Sequence, residues 1–149
     1  MSSLTVRTAI KSFITTNAPT EKLIDLTAEF QNLNDLLDSN SASNGPWLGI
    51  QFIGNAEEAV GLTANNTQGK YLEDGVIYLH IVDLASLGIA NSILTRAEAL
   101  RDLFRGQRIG DITIRAVAPA NFEAGGTLQF ESGYTAASVL IAYDRRFDI

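Results

Sequence analysis

Residues 75–82 of the chain read GVIYLHIV. Gly75 opens the run, and β-branched and aromatic residues follow it without the polar alternation of a half-exposed strand. A run that is apolar on both of its faces is typical of a strand at the centre of a sheet, covered by helices on one side. We therefore expect a sheet built around residues 76–82.

Further strand patterns lie on either side of this run. Residues 47–53 (WLGIQFI) follow Pro46 and predict a strand, whereas residues 57–70 are polar and rich in Gly and Asn and predict a long loop. A second loop is expected at residues 119–126. The remaining strands are predicted at residues 109–117, 127–131 and 135–143.

Two segments have the period of amphipathic helices. The first, with Ser2 or Ser3 as its cap, ends at Asn17, and its apolar stripe is Val6, Ala9, Ile10, Phe13 and Ile14. The second has Ile93, Ala97, Leu100 and Phe104 on one face. Its start is marked by a Thr95–Glu98 capping box or by an Asn91 cap, and its end by Gly106.

Residues 20–45 have the least regular pattern. Leu23, Leu26 and Phe30 fit helical spacing within residues 20–38, which favours a helix, yet Ile24, Leu26 and Ala28 also alternate as in a strand. Residues 39–45 (SNSASNG) form a polar hinge. The core residues that we expect are Ile10, Phe13, Trp47, Ile50, Phe52, Ile77, Leu79, Leu100, Phe104, Ile112, Ile114, Leu140 and Tyr143.

Length and composition predict one domain over residues 1–149. The element order predicts an α+β fold, with a mostly antiparallel sheet of about five strands and two to three helices packed on one face. Disulfides and thiolate chemistry are excluded because the chain has no cysteine. Residues 1–75 have a net charge of −5 and residues 76–149 of −1, which argues against a module that binds nucleic acid through phosphates. We expect neither a membrane span nor a secretory signal.

Residues for catalysis are sparse. His80 is the only histidine, and as a general base it would need a nucleophile and a partner; Asp83 falls on the opposite face of the strand. The acidic pairs, such as Glu57 and Glu58, lack the spacing of a metal loop, and no glycine-rich phosphate motif occurs. We therefore expect no enzymatic activity, no cofactor and no metal.

Four arginines cluster around the second helix: Arg96, Arg101, Arg105 and Arg108. They form either a solvated face with the pairs Glu98–Arg101 and Asp102–Arg105, or an electrostatic contact with an acidic neighbour. Long loops in a small domain tend to carry function, so contact with other protein chains is the expected role.

Three segments together resemble tail terminator (tail completion, minor tail) proteins of long-tailed bacteriophages. They are GPWLGIQF at residues 45–52, YLEDGVIYLH at 71–80 and AEALRDLFR at 97–105, before a closing strand that ends at Tyr143. In that family, a Pro-Trp strand, a strand after a Glu-x-Gly turn and a helix of this type recur in this order. The resemblance covers residues 1–18 and 46–145.

The resemblance implies a structural virion protein of the viral tail. It implies a ring, expected to be a homohexamer, that caps the head-proximal end of the tail tube, ends tube polymerisation and offers a docking face for head-tail joining. Its partners would be further copies of itself, the tail tube protein and the head or neck connector. Genomic DNA would pass through an acidic lumen without specific binding.

Within this reading, the protein is made in the host cytoplasm and resides in the virion. The interface residues that we expect are Arg96, Arg101, Arg105, Arg108, Tyr71 and Glu73. Two alternatives stay open: another head-tail connector or neck protein, and a small-molecule-binding α+β domain.

Overall fold

The computed structural model describes residues 3–26, 46–62, 69–84, 89–122 and 134–148. Within this part, two helices and six strands follow one another along the chain. They are α1 (Leu4–Asn17), β1 (Leu23–Asp25), β2 (Trp47–Leu62), β3 (Gly69–Leu84), α2 (Ile89–Phe104), β4 (Arg108–Ile109), β5 (Ile112–Val117) and β6 (Tyr134–Asp148).

The strands form one sheet in the order β1-β2-β3-β6-β5-β4. The run at residues 76–82 lies in β3 between β2 and β6, so its central position is confirmed. The α+β class is confirmed as well. Within the described residues the sheet has six strands, where about five were predicted. It is mixed, where a mostly antiparallel sheet was predicted, because β1 pairs in parallel with β2 while the other pairs are antiparallel.

The parallel strand comes from the segment in which we favoured a helix. Leu23, Ile24 and Asp25 pair with Leu48–Ile50 of β2. Alternation was therefore the correct reading at these three residues, and pairing with the edge of β2 overrides the helical spacing. The rest of the predicted helix and hinge, residues 27–45, lies outside the described residues.

Helix α1 agrees with its prediction. Ser3 is the N-cap, and its hydroxyl accepts a hydrogen bond from the Val6 amide at 3.4 Å. At the other end, the Ala18 amide donates to the Ile14 carbonyl. The buried side chains of the helix are Val6, Ile10 and Ile14, which belong to the predicted stripe.

Helix α2 begins at Ile89, earlier than both predicted caps. Asn91 and Thr95 are therefore inside the helix, where the Thr95 hydroxyl donates to the Asn91 carbonyl at 2.8 Å, a local bond that Thr makes as readily in a helix as at a cap. The predicted end is confirmed: the helix stops at Phe104, and Gly106 has a φ of +69°, which glycine adopts without strain.

Both helices pack on the same face of the sheet. Leu48, Ile50 and Phe52 of β2 pair with Ile81, Leu79 and Ile77 of β3, and all six belong to one core with the helices. The opposite face carries a smaller cluster of Trp47 and Val82. Of the expected core residues, Phe13 is half-buried and packs at the edge of the core, and Leu140 is half-buried as well.

The polar stretch at residues 57–70 is not a loop over most of its length. Strands β2 and β3 continue through it as a hairpin up to the pair Leu62 and Gly69, with two register shifts in β2. On its other side, β3 stays paired with β6 over the same stretch, up to the pair Lys70 and Asp148. Backbone pairing thus extends the strands where the polar sequence predicted a loop, because a polar segment without an apolar period gives no strand signal.

The other differences concern β4 to β6. The predicted strand at 109–117 is a short hairpin, β4 and β5, that turns at Gly110 with a φ of +62°. Asn121, in the predicted loop at 119–126, forms a bridge with Ser138. The predicted strand at 127–131 lies outside the described residues.

Candidate functional site

The arginine cluster around α2 divides into an internal and an external part. Arg96 belongs to the internal part: its Nε and Nη2 donate to the two carboxylate oxygens of Glu21 at 3.0 and 2.6 Å, and Nη2 also reaches the Trp47 carbonyl at 3.3 Å. A bidentate pair of this kind fixes both side chains. Arg96 therefore ties α2 to the segment before β1.

The external part contains the two predicted pairs along the helix. Arg101 donates to Glu98 at 2.6 Å, and Arg105 donates to Asp102 at 2.7 Å. The Arg101 side chain is only 14% exposed, whereas that of Arg105 is 55% exposed. Arg108, on β4, is exposed and donates to the Gly110 carbonyl at 3.3 Å. Arg105 and Arg108 are thus the cations of this cluster that a partner can reach.

Glu73 and Tyr71 lie on β3, away from the arginines of α2. Glu73 is buried, with 4% of its surface exposed. Its Oε2 accepts from the Tyr143 hydroxyl at 3.0 Å and from the Ser3 amide at 3.3 Å, and Arg145 lies 3.9 Å from Oε1. These contacts hold the start of α1 on the sheet, so Glu73 acts within the subunit.

Tyr71 lies on β3 two residues before Glu73 in the chain. Its ring stacks on Phe147 at a centroid distance of 5.9 Å, and the Arg145 guanidinium lies 4.3 Å from the centre of the Phe147 ring. Tyr71 is half-buried. Tyr71, Phe147 and Arg145 lie on the same face of the sheet as the helices.

Three strands extend past the core as an arm, formed by residues 55–62, 69–74 and 144–148. The described core ends on these strands at Phe52, Ile77 and Tyr143. At about 3.3 Å per residue, the eight residues 55–62 reach roughly 26 Å further. Among the described strands, β1 pairs with β2 only at Leu48–Ile50, so from Ile53 to Leu62 the outer edge of β2 has no described strand beside it.

A buried polar group on the face opposite the helices was not predicted. His80 pairs directly with Ser138 across β3 and β6, and its Nδ1 lies 2.8 Å from the Ser138 hydroxyl. Its Nε2 lies 3.2 Å from Oε1 of Gln51 on β2, and Tyr78 stacks on the imidazole with ring centres 5.8 Å apart. Burial lowers the pKa of His80 to about 4.

His80 stands out in the sequence as the only histidine, but the sequence does not show which residues contact its ring. Ser138 is 58 residues away, and only the pairing of β3 with β6 brings the two together. Alternation within each strand indicates the face of a side chain but not its neighbour across the sheet.

Two cavities open near these groups. One, of about 340 Å³, lies between the end of α1 and α2 and is lined by Ala18, Pro19, Ala99 and Leu103 together with the Glu21–Arg96 pair. The other, of about 210 Å³, lies beside Ser138. Within residues 3–26, 46–62, 69–84, 89–122 and 134–148, no group of three or more potential metal ligands occurs. None of the helices described is long and apolar enough to cross a membrane.

Comparison with known proteins supports the fold alone. No protein-family model and no curated protein matches the chain. Nineteen solved chains match. One of them, which bears no functional name, superposes with a TM-score of 0.56 at 18% identity, over 99% of this chain and 97% of its own. The architecture therefore recurs in a solved protein of the same length, and the likeness carries no activity.

Proposed function

We propose that this chain is a tail terminator: a structural protein that forms a six-membered ring on the head-proximal end of a bacteriophage tail tube, stops tube growth and docks the head or neck. The resemblance of residues 45–52, 71–80 and 97–105 to that family motivates the proposal. The structural observation that supports it is the arm, along which the outer edge of β2 has no described strand beside it.

A ring needs a heterologous interface, in which one surface of a subunit meets a different surface of the next. A strand at the edge of a sheet has unpaired backbone N–H and C=O groups, which can pair with a strand of another chain. The edge of β2 from Ile53 to Leu62 is long enough for such pairing, and the arm projects it away from the core. A neighbouring subunit that covers this edge would satisfy its backbone groups.

The charges fit a contact between unlike surfaces. Arg105 and Arg108 are exposed at the end of α2 and on β4, while the first 75 residues have a net charge of −5. The proposal places acidic side chains of the neighbouring subunit opposite Arg105 and Arg108, since complementary charges across an interface favour a specific contact. An acidic lumen would repel the phosphates of passing DNA.

Native mass spectrometry tests the proposal, first on the protein alone and then with the tail tube protein encoded beside it. We expect a six-fold species, either free or at one end of short tubes seen by electron microscopy. A monomer that neither assembles nor limits tube length would contradict the proposal. A ring that co-sediments with the portal or neck instead of the tube would favour the alternative of a head-tail connector.

The cavity of about 340 Å³ supports the second alternative, a small-molecule-binding domain. Its size is within the range of ligand pockets, and most of its wall is apolar. A ligand that binds only the folded state would raise the melting temperature. A thermal-shift screen in which Ala99→Trp, a variant that fills the cavity, abolishes every shift would assign such ligands to this site.

A further inference from the structure

The His80 group has the arrangement of an activated nucleophile. His80 and Ser138 are opposite one another on β3 and β6, and both are buried, at 0% and 4% exposure. The Ser138 hydroxyl lies 2.8 Å from Nδ1 of His80, which is hydrogen-bond distance for a nucleophile and its base. A third residue, Gln51, contacts the other ring nitrogen.

The contact with Gln51 decides which nitrogen holds the proton. An amide oxygen can only accept, so Nε2 of His80 must carry hydrogen and donate to Oε1 of Gln51. Nδ1 is then the free lone pair, and the Ser138 hydroxyl donates to it. Burial lowers the pKa of His80 to about 4, so the imidazole is neutral near pH 7 and is a weaker base than a free histidine.

A small reactant has room beside the hydroxyl. The cavity of about 210 Å³ is lined by Ser138, Tyr78, Asn121 and Leu140, together with Ala118 and Pro119. Several water molecules, or one small acyl or phosphoryl group, fit within that volume. Tyr78, whose ring stacks on His80, is part of the cavity wall.

We propose that Ser138 is a nucleophile activated by His80, and that the Ser138 hydroxyl oxygen accepts an acyl or phosphoryl group from a small activated ester. In the acyl case, the serine Oγ bonds to the carbonyl carbon while its proton moves to Nδ1 of His80. The bond to the leaving alkoxide then breaks, and the alkoxide takes that proton from His80. Gln51 is a positioning residue that fixes the tautomer. This inference is independent of the ring.

Diisopropyl fluorophosphate is the probe for the test. Its phosphorus bonds to the Ser138 oxygen, the P–F bond breaks, fluoride leaves, and the serine proton passes through His80 to solvent. We expect one adduct per chain, assigned to Ser138 by peptide mass spectrometry. Ser92, exposed on α2, is the matched control: it should stay unlabelled because exposure alone does not activate a serine.

Two variants and an unfolded control test whether Ser138 is labelled because His80 activates it or only because the probe can reach it. Ser138→Ala should abolish the adduct, and His80→Gln should slow labelling at least about 100-fold, the usual contribution of a general base. Unfolding in urea exposes every serine and should abolish selective labelling. That comparison uses the wild-type chain, so it tests the proposal even where a variant fails to fold. No adduct on the folded protein, equal labelling of Ser92, or an unchanged rate in a folded His80→Gln variant would overturn the proposal.

Discussion

A buried histidine makes the stability of this protein depend on pH. Burial holds the pKa of His80 at about 4 in the folded chain, against 6.5 in the unfolded chain. Between these values the unfolded state binds more protons, so stability falls as the pH falls through this window. Above pH 7 the imidazole is neutral in both states, and the contribution of His80 is complete.

We expect the free energy of unfolding to fall by up to about 3 kcal/mol between pH 7 and pH 4 on account of His80. Urea unfolding at half-unit intervals of pH measures this slope. The carboxylates titrate in part of the same range, so the comparison is with His80→Gln, which should lose the component between pH 5 and 6.5. Parallel curves for the two proteins would show that His80 does not titrate as the structure indicates.

Gly75 is required by a close approach of the backbone. A Cβ at this position would lie 2.6 Å from the Ile53 carbonyl oxygen and 2.8 Å from the Tyr143 hydroxyl. Gly75→Ala must displace Tyr143 from Glu73 or shift β2, and we expect it to cost about 2–3 kcal/mol of stability. Gly106→Ala meets no atom within 4 Å and has only the strain of a φ of +69°, roughly 1 kcal/mol. Urea denaturation should rank the two in this order.

At the scale of elements, α1 is fixed to the sheet by charge as well as by its apolar stripe. Arg7 and Lys11, one turn apart, each donate to Oδ2 of Asp25 on β1 at 3.0 Å, and the Arg7 guanidinium lies 5.7 Å from the centre of the Phe52 ring. The Asp25 side chain is only 10% exposed. The short parallel strand and the first helix therefore support one another.

Asp25→Asn should loosen this junction. Loss of the buried carboxylate leaves two cations without their partner, which we expect to cost about 1–3 kcal/mol. Asp102→Asn removes the exposed partner of Arg105, 65% exposed, and should change stability by less than about 0.5 kcal/mol. Hydrogen exchange adds a local readout: the α1 amides should lose protection in the first variant only. Equal effects of the two substitutions would contradict this account.

Elements with an apolar period could be predicted from the sequence. The stripe of Val6, Ile10 and Ile14, and the two-sided run around Ile77, correctly indicated α1 and the central strand. The arm could not be predicted, because much of its sequence is polar without an apolar period and its strands are recognised by their backbone pairing. At β1 the sequence showed both helical spacing and strand alternation, and three residues are too few for the alternation to outweigh the helical spacing.

For the candidate site, the sequence indicated which charged and polar residues to consider, but not which of them lie close together in the fold. Helical spacing predicts the pairs Glu98–Arg101 and Asp102–Arg105, and both are confirmed. The bond between Arg96 and Glu21 joins residues 75 apart, and no local pattern encodes it. The roles of Arg105, Arg108 and Tyr71 at an interface stay predictions.

For the whole molecule, the proposed ring predicts an effect of charge on assembly. Arg105→Glu combined with Arg108→Glu should reduce the six-fold species at least tenfold in native mass spectrometry, because exposed interface charges would then repel their acidic partners. Arg115→Glu is the control, since Arg115 is also about half exposed but lies on β5. Full assembly of the double variant would show that the surface around Arg105 and Arg108 is not part of the interface. High salt should weaken wild-type assembly in the same direction.

Strand β6 has a consequence for how the protein is made. It follows the other described elements in the chain, yet it lies between β3 and β5 and joins the two halves of the sheet. The earlier elements emerge from the ribosome first, and until residues 134–148 arrive, β3 and β5 each lack the partner strand that β6 provides. The sheet is therefore completed only after β6 has emerged, and until then its unpaired strand edges favour aggregation.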